Sequence, residues 1–201
     1  MKIAAKENPP AGLDVGLERF LTTNEGEHEP NPGFLKEQLP ELRRTQRSVS
    51  RKQKGGKNRR KAIAKVAKLH ARVRKLRREY HYEIANRLMD RYGRFAVQRL
   101  NIRGMLRNHR LARAISDVGW YNFRRILGHK AERAGAVVVE VDPAGTSQIC
   151  SNCGAEVRKQ LSERWRRCEC GCSMHRDVNA ARNILRRALA RMGPAEPNVG
   201  P

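Results

Sequence analysis

Between Ala11 and Asn24 the sequence AGLDVGLERFLTTN reads as two short apolar strands meeting at a bend on Gly16, with one acid, Asp14, inside the first. The stretch closes on Asn24-Glu25-Gly26, a turn signal, so the pattern predicts a hairpin. From Glu27 to Pro40 the residues Pro30, Pro32, Gly33 and Pro40 interrupt any regular period, and the segment reads as a loop. Beyond Gly55-Gly56, the residues Ile63, Val66, Leu69, Val73, Leu76, Tyr80, Ile84 and Leu88 recur at steps of three or four. That spacing puts them on one face of a long helix over 57–91, which Gly93 ends. Phe95 to Ile102 is a strand candidate, a helix follows from about Ile115 to Ala134, and AVVVEVDP is a β-branched strand closed by Pro143. A strand, a crossover helix and a second strand favour parallel pairing, so the core is predicted to be an α/β mixed sheet with flanking helices. Val178, Ala181, Leu185, Ala188 and Met192 predict an amphipathic closing helix over 176–192, and the tail 193–201 is expected to be disordered.

Charge narrows the class of partner. Lys and Arg number 43 against 20 acids, a formal charge of +23. Seventeen of these cations fall in the thirty-six positions from Arg43 to Arg78, which contain no acid. A solvated helix face accounts for about half of them, but the run as a whole lacks compensating charge and suits a polyanion, nucleic acid before an anionic membrane surface. Arg59, Arg60, Lys61, Lys65 and Lys68 are the candidate phosphate contacts. Mean hydropathy is −0.76 and the longest apolar run, Ala136 to Val139, is four residues, so no segment spans a bilayer. The N-terminal MKIAAKENPP lacks the apolar core of a signal peptide. A cytoplasmic, nucleoid-associated chain is expected, with its thiols reduced.

All five cysteines lie between Cys150 and Cys172. Cys150-Ser-Asn-Cys153 and Cys168-Glu-Cys170-Gly-Cys172 can present two thiolates each, a tetrahedral sulfur set suited to one structural Zn²⁺. Cys170 is preferred to Cys172 as fourth ligand because Gly171 follows it as Gly154 follows Cys153. A zinc ribbon is therefore expected over 145–175, with metal supplying folding energy that so small a loop cannot find in a core.

Phosphodiester hydrolysis on a sheet scaffold commonly uses two divalent ions about 4 Å apart, held by acids from distant sequence positions. Asp14, a lone acid in an apolar strand, is either a ligand or a cost. Asp177, opening the last helix, suits a ligand or simply a partner for the helix dipole.

The blocks GLDVGLERF, the basic helix, LNIRGMLRNHRLARAISDVGW, VVVEVDPAGTSQICSNCG and HRDVNAARNIL together resemble the TnpB family. These are IS200/IS605-type OrfB transposon-encoded RNA-guided nucleases, relatives of the type V CRISPR effectors. The resemblance covers most of residues 11–190 and implies an RNase H-like (RuvC) domain over 1–144 that includes the basic helix. It also implies an inserted ribbon and a closing RuvC helix. A guide RNA and target DNA become the expected partners, and two catalytic Mg²⁺ the expected cofactors. Asp14 carries over as the first RuvC acid and Asp177, in His-Arg-Asp-Val-Asn-Ala-Ala, as the third.

Two positions depart from the family. Its middle Glu is here Gln98, an amide that offers an oxygen but no charge, so a Mg²⁺ pair is left under-neutralised. Glu140, on the neighbouring predicted strand and sharing a face with Asp142, is the candidate replacement; without one, the chain is a nuclease-inactive nucleic-acid binder, a repressor or a transposon remnant. Only ten residues precede Ala11, where relatives carry a guide-gripping N-terminal part, so a truncated gene, a fragment or one half of a split system is expected, the last with a separate N-terminal half or partner chain.

Overall fold

A computed structural model describes residues 8–156 and 163–192. Along the chain run β1 (Pro10–Val15), β2 (Arg19–Thr23), β3 (His28–Pro30), α1 (Phe34–Ser50), α2 (Lys57–Arg91), β4 (Arg94–Gln98), α3 (Ile102–Met105), α4 (Ala112–Val118), α5 (Trp120–Ala134), β5 (Val137–Val141), β6 (Trp165–Arg167), β7 (Ser173–His175) and α6 (Arg176–Met192). The first five strands form one mixed sheet in the order β3-β2-β1-β4-β5. β1, β2 and β3 pair antiparallel through tight turns, whereas β1, β4 and β5 pair parallel, as strands joined by helical crossovers do.

Alternation along the strands divides the core into two layers. Leu13 and Val97 face one way and pack beneath α2 and α5 with Ile84, Leu88, Phe123 and Leu127. Ala96 and Val141 face the other way, against Ile184 and Ala188 of α6. The second layer is thin because β1 and α6 nearly touch at Gly12. A Cβ added there would stand 2.0 Å from the Ala181 carbonyl oxygen and 2.8 Å from Leu185 Cβ. Gly12→Ala is therefore expected to push α6 off the sheet and to cost about 3 kcal/mol. An unchanged denaturant midpoint would contradict that close approach.

Several sequence expectations need correction. The segment 27–40 is not a loop: β3 extends the hairpin to a three-stranded meander, and α1 begins at Phe34 and runs through Pro40. Pro40 removes one helical donor, yet α1 persists because it lies along α2 and is capped from a distance. Its N-cap Gly33 has no side chain, so Asp117 of α4 accepts from the Leu35 and Lys36 N–H groups at 2.9–3.2 Å, and from Arg77 at 3.0 Å. The strand expected to reach Ile102 stops at Gln98, and Asn101 caps α3 through the Gly104 N–H. The helix expected over 115–134 is two helices broken at Gly119, whose φ of 68° is left-handed.

The long apolar stripe is core in its second half only. Val73, Ile84 and Leu88 are buried, while Ile63 is 44% exposed where α2 leaves the sheet with α1 as a helical hairpin. In α6, Ala181 and Ala188 are buried as predicted, but Asn179 and Asn183 are buried beside them. The predicted disorder of 193–201 lies outside the described residues.

Candidate metal centres and nucleic-acid surface

Asp14 and Gln98 sit at the C-terminal ends of adjacent parallel strands. The register pairs Leu13 with Val97, and one position further along it sets Asp14 beside Gln98 on the face that α6 covers. Asp177 enters from the first turn of α6. The sequence folds this way because Gly12 lets α6 approach β1. Burial, and next the neighbouring Asp177 carboxylate, push the Asp14 carboxyl up to about 8, with Arg176 pulling back. Two carboxylates brought together in a buried place form an oxygen donor set that suits a hard divalent ion.

The Gln98 amide, beside Asp14 by strand register, is held from the segment that follows β5. Its nitrogen donates to Thr146 Oγ1 at 2.8 Å, and the Thr146 hydroxyl donates to the Pro143 carbonyl at 2.9 Å. Glu140 does not join Asp14, which corrects the replacement expected from the sequence. Glu140 is the register partner of Val97, not of Gln98, so its side chain leaves the sheet on the face opposite Asp14. There it pairs with Arg124 of α5 at 3.0 Å. Asp142 is taken up by its own turn, accepting from the Ala144 N–H at 2.9 Å.

The four expected cysteine ligands do converge. The sulfurs of Cys150, Cys153, Cys168 and Cys170 all lie within 4.8 Å of one another, with Cys150–Cys170 at 3.8 Å and Cys153–Cys168 at 3.6 Å. Four thiolates held tetrahedrally at a Zn–S length of about 2.3 Å stand about 3.8 Å apart, so the set fits such an ion. Gly154 and Gly171, with φ of 81° and 82°, close the two turns. The Asn152 amide also donates to Cys170 Sγ at 3.6 Å. Cys172 is outside the set, and its carbonyl accepts from the Cys168 N–H.

Sequence reading missed what joins the two centres. Asn179 and Asn183, buried one turn apart on α6, each donate to the carbonyls of Thr146 and Ile149, and Asn179 Oδ1 accepts from the Ser151 N–H at 2.8 Å. The helix bearing Asp177 thus grips the segment that leads to Cys150. Arg166 on β6, also buried, donates to the carbonyls of Ser147 and Gln148 and holds the other half of the ribbon to the same segment. Two asparagines at i and i+4 among alanines were the available signal.

The basic run spans the end of α1, the turn over 51–56 and the first half of α2. Arg60, Lys61, Lys65 and Lys68 are exposed and Arg59 is half-buried. Among the described residues none of the five has an acidic partner.

The fold of this chain is similar to that of chains in two solved Cas12f complexes. A chain of the Cas12f1-sgRNA-target DNA complex superposes with a TM-score of 0.61 at 19% identity, covering 89% of this chain and 50% of that one. A chain of a CRISPR-Cas12f ternary complex gives 0.60 at 22% identity, covering 90% and 39%. The profile of the IS605-type OrfB family, described as a probable transposase, matches residues 3–109, and that of the Cas12f1-like TNB domain matches 120–184. The chain belongs to the TnpB (IS605-type OrfB) family. It is 39% identical over 181 residues to the "Putative RNA-guided DNA endonuclease" of Streptomyces pristinaespiralis, covering 89% of this chain and 45% of that protein. It is 35% identical over 192 residues to the "Putative RNA-guided DNA endonuclease InsQ" of Escherichia coli (strain K12), covering 87% and 48%. The chain thus spans about half the length of these relatives. Among the described residues no helix is long and apolar enough to cross a membrane.

Proposed function

We propose that this chain is the RuvC-type, RNase H-like part of an RNA-guided DNA-targeting protein, with a structural zinc ribbon and a hydrolytic site weakened at one position. The observation that carries the reading is the convergence of Asp14 and Asp177 at the sheet end with the Gln98 amide beside Asp14. In this reading 1–144 is the nuclease-like domain, 145–175 the ribbon and 176–192 the closing helix. Magnesium ions held at such a site activate a water and stabilise the leaving oxygen of a phosphodiester. Asp14 and Asp177 would hold them, and Gln98 would contribute a neutral oxygen where a third charge belongs. DNA binding then survives with cleavage strongly attenuated, so the binding-protein alternative is preferred to full nuclease activity. Glu140, paired with Arg124, takes no part.

The α1–α2 hairpin would clamp a phosphate backbone without reading bases, since its exposed groups are cations on a helix surface. Sequencing of nucleic acid that copurifies with the chain tests the reading: a discrete structured RNA is expected, and random fragments would contradict it. Neutralising Arg59, Arg60, Lys61, Lys65 and Lys68 together is expected to weaken binding to all sequences alike. It should also flatten the dependence of log K on log salt by up to about 4 to 5. An unchanged slope would return the hairpin to the role of a solvated surface.

A further inference from the structure

Trp165 is the one large aromatic of the ribbon, and it is not used to build a core. The indole is 53% exposed, whereas Arg166 beside it is buried, because alternation along β6 turns the arginine inward and the tryptophan out. The ring is nevertheless held in place. Its Nε1 donates to Ser173 Oγ at 2.8 Å, and it meets His175, its cross-strand partner, edge to face with centroids 6.4 Å apart. His175 in turn stands beside the acid cluster, with Nδ1 accepting from the Asp177 N–H at 3.3 Å and lying 3.6 Å from Asp177 Oδ2. The indole is therefore one ring away from Asp177.

Arginines flank the ring in sequence, at 164, 166 and 167. Arg164 precedes Trp165 and pairs with Glu18 at 2.8 Å, tying the ribbon to the turn after β1. Arg167, two residues along β6, shares the outward face of Trp165. A held, half-exposed indole among arginines at the edge of a phosphodiester site has the chemistry of a base-stacking platform.

We propose that Trp165 stacks on an unpaired base of a single-stranded nucleic acid and so positions the adjoining phosphate at Asp14 and Asp177. A single strand is the fitting ligand because a duplex hides both faces of its bases inside the stack. Trp165 acts here as a positioning residue, and the inference rests on the nucleic-acid reading above.

Intrinsic fluorescence of the full chain tests it. The chain has two tryptophans, and Trp120 is 6% exposed in the core, so quenching by a ligand reports on Trp165. Titration with short oligo(dT) is expected to quench emission in the parent chain. In Trp165→Ala the quench should vanish and the oligo(dT) Kd should rise roughly 5- to 150-fold. Trp165→Phe should recover most of the affinity, while affinity for a blunt duplex changes less than about twofold. Oligo(dT) binding without quenching in the parent, or equal loss of single-strand and duplex affinity in Trp165→Ala, overturns the platform and leaves the nucleic-acid reading standing. Absence of any binding to either ligand overturns both.

Discussion

Gln98→Glu is expected to raise Mg²⁺-dependent cleavage of single-stranded DNA by about 100-fold or more, the largest gain any single substitution should give. The missing component at the sheet end is charge, because Asp14 and Asp177 are already gathered there and Gln98 has the length of a glutamate. A third carboxylate neutralises more of a divalent pair, and stabilisation of transition-state charge by about 3 kcal/mol corresponds to about a hundredfold in rate. The exchange fits locally once the Thr146 hydroxyl, which accepts from the amide at 2.8 Å and donates to the Pro143 carbonyl, turns its one proton from that carbonyl to the new carboxylate. Asp14→Ala should abolish the gain. Glu140→Gln should leave it in place, because Glu140 projects from the opposite sheet face onto Arg124. Metal titration supplies a second readout: Mn²⁺ affinity should rise with Gln98→Glu even where substrate delivery limits cutting. Unchanged metal affinity together with unchanged cleavage would overturn the assignment of position 98.

The contrast between Asp177 and Glu140 marks where sequence reading stopped. Local signals located the strands, the long helix and the cysteine knuckles, because a period of two or of 3.6 and a turn glycine are written within a few residues. Asp14 was legible for the same reason, an acid in an apolar strand. Whether Glu140 faces Asp14 depends on the register between β4 and β5, and a shift of one residue reverses the answer. No local pattern fixes that shift. The helix α1 escaped notice because its stop signal, Pro40, is local, whereas its cap, Asp117, lies 82 positions from Leu35. Asn179 and Asn183 take their role from the carbonyls of Thr146 and Ile149, 30 and 37 positions away for the bonds Asn179–Ile149 and Asn183–Thr146. What links the two centres is therefore long-range and polar, the kind of contact that periodicity does not encode.

Cys153→Ser is expected to release the metal and unfold the segment near 145–175 while the five-stranded sheet keeps its secondary structure. Apart from polar ties such as those of Arg166 the ribbon has little apolar burial to hold it: β6 and β7 are three residues each, and most of their side chains are exposed or half-buried. Thiolate coordination supplies folding free energy of about 10 kcal/mol or more at neutral pH in small zinc domains, so loss of one ligand removes most of what orders the loop. The sheet is independent of it, since Leu13, Val97, Phe123 and Leu127 form their layer without a ribbon residue. The boundary of unfolding should fall near Thr146, where Asn179 and Asn183 hold the chain from α6. Limited proteolysis should therefore cut the variant within the described residues 147–156 and 163–175 faster than it cuts the parent there, and metal analysis should find one zinc per parent chain. Cys172→Ser should retain the metal, because that sulfur lies outside the group of four. Zinc lost from Cys172→Ser but kept in Cys170→Ser would exchange their assignments, and reduced parent protein without zinc would remove the metal centre altogether.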